Sequence, residues 1–276
     1  MRTSALAALL AALALAAAGC GGDGAGGGGS ATDALAETAE NLGAIESGDL
    51  SLRLVVSSDG KDVGFKLDGP FALAEEGKLP VAEVEYTQIA GPEEQAATFI
   101  STGEKAFVEI EGEVYELPDE QVEGLRGAGG ADGAGLGVLE IDDWLVEPEL
   151  SGGDDVGGDS TDRITAGLDP VALANDLLAL IAQLGGGSPG SLEGRSAEQL
   201  ESAVESANIE VLTGKDDRIL RRLVVEADLN AEVPEELRER LSGLPGATFE
   251  LRLELQSPNE PVEVDEPTDA QPFPGR

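Results

Sequence analysis

Between Leu50 and Leu117 the chain keeps a period of two. Leu50, Leu52, Leu54 and Val56 alternate with Ser51, Arg53, Val55 and Ser57, and Val63, Phe65 and Leu67 follow the Asp59-Gly60 turn. Val84 and Tyr86 come next, then Ala97 and Phe99, then Ala106, Val108 and Ile110, and Glu111-Gly112 leads into Val114 to Leu117. Successive side chains of a strand point to opposite faces, so the alternation predicts strands with one apolar and one wet face. Turn residues about every ten positions predict an antiparallel meander. The outward positions are largely charged, which also protects the sheet edges. The pattern returns late in the chain at Ile209 and Val211 and from Ile219 through Leu229. It is cleanest at the end, where Phe249, Leu251, Leu253 and Leu255 point inward and Glu250, Arg252 and Glu254 outward.

Helical patterns interrupt the strands. Thr32 to about Ile45 places Leu35, Ala39 and Leu42 on one face, and Pro118 opens a short helix to about Arg126. Asp169 as N-cap and Pro170 in the first turn start a helix that runs to about Leu184, where Gly185-Gly186-Gly187 stops it. On a helical wheel its polar residues Asn175, Asp176 and Gln183 share a narrow sector with Ala172 and Ala179. Val171, Leu173, Ala174, Leu177, Leu178, Leu180, Ile181 and Leu184 fill the rest. A helix this apolar must be covered on more than one side: by the sheet on one, and by a second helix or an apolar ligand on the other. Ser196 and Gln199 form a capping-box start for a helix through Ala207, and Pro234 to Leu241 reads as a short amphipathic helix. The stretch Gly127 to Gly137 (GAGGADGAGLG) predicts a mobile loop, and the Pro- and acid-rich segment 258–276 a disordered tail.

Composition narrows what such a domain does. Apolar residues make up 41% of the chain but aromatics only 3%, so any large apolar cavity would be aliphatic-walled. Fifty-five acidic and seventeen basic residues leave a formal charge of −38, and such a surface repels nucleic acid and anionic head groups. There is no histidine, which removes the commonest general base, the Ser-His and Cys-His dyads and the usual zinc and copper ligands. No Gly-x-Ser-x-Gly or Gly-x-Gly-x-x-Gly run follows a strand pattern, and the chain has no Walker-type phosphate-binding loop. Nothing singles out a carboxylate pair for glycoside chemistry. Neither catalysis nor a cofactor nor a metal is expected. The stretch Gly153 to Asp162 (GDDVGGDSTD) offers oxygens for calcium but lacks the spacing of an EF-hand loop, and an acid-rich solvated turn is the expectation.

Met1 to Cys20 (MRTSALAALLAALALAAAGC) has a basic Arg2, an unbroken Ala/Leu run from Ala5 to Ala18, and small residues before the only cysteine. This is a secretory signal pattern, and the run is too short to favour a membrane span, which takes about 17–25 residues. It resembles the bacterial lipoprotein signal, in which the cysteine is lipidated and becomes the mature N-terminus; the usual Leu three residues earlier is Ala17 here. The division expected is a signal peptide (1–19), a Gly-rich tether (20–31), one half-barrel domain (32–257) and the tail (258–276).

Signal, tether, a helix before an antiparallel meander, and helices before the closing strands together resemble the LppX/LprG family of actinobacterial lipoproteins. The segment Asp159 to Leu173 (DSTDRITAGLDPVAL) is similar to that family's late strand-to-helix passage, with its typical Gly-x-x-Thr-x-x-Ile pattern. The resemblance implies an α+β fold, a strongly curved antiparallel sheet with helices packed on its concave face. It also implies a function: holding the acyl chains of lipids or lipoglycans in transit through the envelope, without covalent chemistry. Cys20 would then anchor the protein to the outer face of the cytoplasmic membrane, with a membrane lipid transporter as partner. The cavity would be lined by Leu52, Leu54, Phe65 and Leu67, by Val84, Tyr86, Phe99 and Val108, by Leu251 and Leu253, and by Leu173, Leu177, Leu180, Ile181 and Leu184 of the apolar helix. The alternative is a ligand-free envelope scaffold or sensory lipoprotein whose leucines are ordinary core.

Overall fold

In register across β1 (Ser47–Ser58) and β2 (Lys61–Ala72), Leu52 sits opposite Leu67 and Leu54 opposite Phe65, so the period-two residues share one face. The computed structural model describes residues 30–58, 60–74, 78–128, 140–185, 191–229 and 247–274. The meander continues through β3 (Val81–Ala90), β4 (Glu93–Thr102), β5 (Ala106–Ile110) and β6 (Glu113–Glu116). A second meander comprises β7 (Leu145–Gly152), β8 (Thr161–Leu168), β9 (Val204–Gly214), β10 (Leu220–Leu229) and β11 (Ala247–Gln256). β11 pairs antiparallel with β1 and so joins the two halves. With β12 (Gln271–Pro272), the sheet has twelve strands in the order β12-β6-β5-β4-β3-β2-β1-β11-β10-β9-β8-β7. It is open and curved, with helices against its inner face, as expected.

β2 also carries two close backbone approaches that the alternation does not reveal. Gly64 and Gly69 lie inside β2, where a Cβ on Gly64 would run into Leu54 O and one on Gly69 into Glu83 O. Gly69 has φ +142°, a conformation that L side chains rarely adopt. Glycine within a strand permits this close approach of neighbouring backbones and a tight bend. Gly64→Val should therefore destabilise the fold by about 1–3 kcal/mol, read as a lower urea midpoint. An unchanged midpoint would mean that β1 and β2 separate at no cost.

Among the described residues five helices cover the inner face or its flanks: α1 (Ala31–Asn41), α2 (Asp119–Ala128), α3 (Ile141–Trp144), α4 (Pro170–Gly185) and α5 (Arg195–Ala203). α1 starts at Ser30, whose side chain accepts from Asp33 N while the Asp33 carboxylate accepts from Ser30 N, a capping box. It ends in a 3-10 turn, Leu42–Ala44. Asp169 caps α4 as read from the sequence, its Oδ1 accepting from Val171 N and Ala172 N.

Two expectations are corrected. The helix from Ser196 was extended to Ala207, but α5 ends at Ala203 and Val204 is already in β9. The sheet claims these residues, because Val204, Ser206 and Ala207 pair with β10. The tail was expected to be disordered, yet it crosses the end of the sheet from β1 to β6, where Gln271 and Pro272 pair in parallel. Local composition hides this, since the partners lie more than 150 residues away. The expected helix 234–241 and most of the glycine-rich loop lie outside the described residues.

Candidate functional site

Pairing carries the inner face across the sheet. One row runs Leu150, Ile164, Val211, Leu223, Leu253, Leu52, Leu67, Tyr86, Ala97 and Ile110, from β7 to β5 through β11 and β1. Every member is apolar or aromatic. A second row runs Ala166, Ile209, Val225, Leu251, Leu54 and Phe65, and ends at Gln88. Val84, Phe99, Val108 and Tyr115 form a third on the β6 side. The ring of Phe65 stacks on Tyr86 with centroids 6.1 Å apart. Burial raises the Tyr86 phenol above its ordinary pKa.

The sequence-predicted lining is brought together. Leu67, Val84, Tyr86, Phe99, Val108, Leu173, Leu251 and Leu253 are buried in one hydrophobic cluster, and Leu52, Leu54, Phe65 and Leu177 are half-buried against it. The side chains of Leu180, Ile181 and Leu184 lie outside the described residues. Leu50, Leu52 and Leu54 of β1, Phe65 of β2 and Phe249 of β11 are half-buried along the inner side of the three central strands, interleaved with the buried Leu67, Leu251 and Leu253. Phe99, Ile164 and Trp144 are fully covered, at 0% exposure, and other half-buried members, Ile110, Leu145 and Ala166 among them, lie towards the flanks.

The helices hold positions that the sequence did not assign to the site. Trp144 of α3 donates from Nε1 to Asp176 Oδ2 of α4 at 2.8 Å, and Glu140 N donates to the same oxygen at 2.9 Å. Asn175 accepts from Leu192 N at 2.6 Å. The polar sector of α4 is thus a docking strip for its covering segments, not a wet face. On the other flank, Leu178 packs with Leu192 and Leu200 of α5 in a separate small cluster. A second helix therefore covers that side. Ile141, Trp144 and Val122 join the main cluster without periodicity to mark them, whereas Tyr115 and Leu117 lie within the 114–117 strand pattern.

The acid-rich turn has cations of its own. Asp154 pairs with Arg163, Asp162 with Arg218, and Asp159 with the buried Arg221, which also holds Asp217. Guanidinium groups thus occupy three carboxylates that calcium would need. Among the described residues no His, Cys, Asp and Glu group is arranged to hold a metal ion. On the outer face, burial raises the Glu254 pKa, but hydrogen bonds from Gln256 and Arg222 outweigh it and hold the carboxylate below its ordinary value. A separate polar cleft of about 230 Å³ lies beside α2, lined among others by Lys105, Glu116, Asp119 and Arg126. No helix among the described residues is long and apolar enough to cross a membrane.

No family model matches the sequence, and no curated protein matches it. Solved structures align with it at low identity. A LolA-superfamily protein of Nitrosomonas europaea aligns at TM-score 0.23 and 10% identity, over 85% of this chain and 96% of that one. Lipoprotein LppX of Mycobacterium tuberculosis aligns at 0.38 and 15%, over 85% and 98%. LprF of Mycobacterium bovis aligns at 0.45 and 13%, over 87% and 99%. The two mycobacterial lipoproteins thus align along most of this chain and nearly all of their own length.

Proposed function

We propose that this protein holds lipid acyl chains against the inner face of its sheet and carries lipid or lipoglycan across the cell envelope, anchored through Cys20 to the outer face of the cytoplasmic membrane. The observation that carries this reading is the half-buried apolar series along the central strands, Leu50, Leu52, Leu54, Phe65 and Phe249, with Leu177 on the helix. A face built only for stability gains about 25 cal/mol for each Å² of apolar surface removed from water. Leaving its central leucines incompletely covered forgoes that gain. An acyl chain laid along them supplies the missing burial without any polar partner. The formal charge of −38 suits neutral or glycosylated head groups better than anionic ones. The resemblance read from the sequence implies the same occupant. Transfer on this reading is non-covalent, and a membrane lipid transporter supplies or receives the cargo.

The direct test is organic extraction of the purified protein followed by mass spectrometry. Stoichiometric acyl lipid is expected; a clean extract overturns the reading. Leu177→Trp gives an independent check. If the half-buried stripe faces acyl space, melting changes little while uptake of the fluorescent fatty acid cis-parinaric acid falls about tenfold or more. If the stripe is close-packed, the ring overpacks it and costs about 1–3 kcal/mol. The scaffold alternative draws support from one observation, the cover that α5 gives to the far side of α4. A destabilised Leu177→Trp variant, from a parent without lipid, would leave that alternative standing.

A further inference from the structure

The segment that follows β11 is built as a hinge and a latch. At its start Asn259 is fastened by three hydrogen bonds: its Oδ1 accepts from Glu46 N at 2.7 Å, its Nδ2 donates to Ala44 O at 3.0 Å, and its backbone N donates to Ser47 O at 2.9 Å. Ser47 Oγ adds a bond to Glu260 O. Ser257 and Asn259 both have positive φ, 48° and 62°, so the chain turns sharply there. Beyond Glu260 the fastening thins out. Lys105 pairs with Glu266 at an exposed site, a type of contact worth little in water. The far end is β12, two residues long, and Pro272 has no N–H to give the ladder. None of residues 257–274 is buried.

One residue of this far end reaches the apolar cluster. Gln271 lies opposite Tyr115, so Phe273, two positions on, returns to the inner side of the sheet. Its ring meets Tyr115 edge-on at 6.1 Å and packs against the main cluster. Phe273 N donates to Glu116 O at 3.2 Å. Tyr115 belongs to the same row as Val84, Phe99 and Val108. The strap also carries Glu260, Glu263, Asp265, Glu266 and Asp269 across a molecule of formal charge −38, and like charge pushes it outward. A firm base, a weakly held end and a single aromatic plug make a segment that opens locally, well below the energy of global unfolding.

We propose that residues 257–274 form a releasable strap that closes the β6 side of the inner apolar face, hinged at Ser257–Glu260 and latched by Phe273, and that its release sets the rate at which ligand enters and leaves. This rests on the lipid-carrier reading. The test uses the chain from residue 20 onward, with Cys20→Ser to remove the native thiol, and cis-parinaric acid as probe. Glu116 and Pro272 are Cα partners, close enough for a disulfide, which needs Cα atoms about 4.4–6.8 Å apart. In the Glu116→Cys/Pro272→Cys variant, oxidation should slow probe exchange about tenfold or more, and reduction should restore it. Phe273→Asp should speed exchange by a similar factor with little change in melting temperature. Equal exchange rates in the oxidised and reduced forms of a protein that loads the probe would overturn the strap and leave the carrier reading intact. Failure of the disulfide to form under oxidant would overturn it too. A parent that takes up no probe overturns the carrier reading, and the strap's role with it.

Discussion

Trp144→Ala should destabilise the protein by about 3–5 kcal/mol, the range for removing a large buried aromatic. Total stability of a domain is only about 5–15 kcal/mol, so the variant should be partly unfolded at modest urea. Three features place it at the top of that range. Trp144 is fully buried, at 0% exposure. It sits on a helix of only four residues, Ile141–Trp144, which has almost no hydrogen bonding of its own to hold it in place. Its indole N–H donates to Asp176, and its carbonyl accepts from Asp169 N at 2.7 Å, so the residue ties the end of α3 to the N-cap and the second turn of α4. Trp144→Phe separates the two contributions. It keeps most of the apolar volume and removes only the hydrogen bond, so a smaller loss, about 1–3 kcal/mol, is expected. Urea midpoints of parent and both variants decide the matter. A Trp144→Ala midpoint within error of the parent would mean that α3 is not part of the core.

Cys20→Ser should move the protein from the detergent phase to the aqueous phase in a phase-separation assay. The effect is all-or-none because anchoring by acyl chains contributes about 0.8 kcal/mol per buried CH₂, and two chains hold a protein stably. Cys20 lies outside the described residues, ahead of Ser30, whose capping box opens the first described helix. The substitution should therefore leave the melting temperature of the domain unchanged. Adherence through charge offers no substitute anchor, since a formal charge of −38 is repelled by anionic leaflets. A Cys20→Ser protein that still partitions with membranes at high salt would show that the cysteine is not the anchor.

Most of the fold class was legible in the sequence because strand side chains repeat every two residues. Leu52 and Leu54, Phe65 and Leu67, and Leu251 and Leu253 each had to share a face once their strands formed, whichever strands came to lie beside them. The start of α4 at Asp169-Pro170 was legible for the same kind of reason, since an N-cap acts within one turn. So was the absence of histidine, and with it the exclusion of the chemistry that histidine performs.

What the sequence could not carry were decisions taken between residues far apart in the chain. The joining of β1 to β11, Leu52 opposite Leu253, turns two meanders into one apolar row, and it spans about two hundred residues of chain. The polar sector of α4 looks like a solvated face on a helical wheel. It is a docking strip only because Trp144 and Leu192 arrive there with unpaired N–H groups. The acids around Asp159 read as a solvated turn or calcium ligands until Arg163, Arg218 and Arg221 are brought beside them by β8, the β9–β10 turn and β10. The tail has no periodicity, and its order comes from the free edge of β6 and the ring of Tyr115. Periodicity and capping are local interactions, so the sequence alone determined which face of each strand is apolar and where α4 begins. Pairing, burial and charge neutralisation depend on neighbours that only the tertiary structure brings together, and these decided which leucines stay half-buried along the central strands.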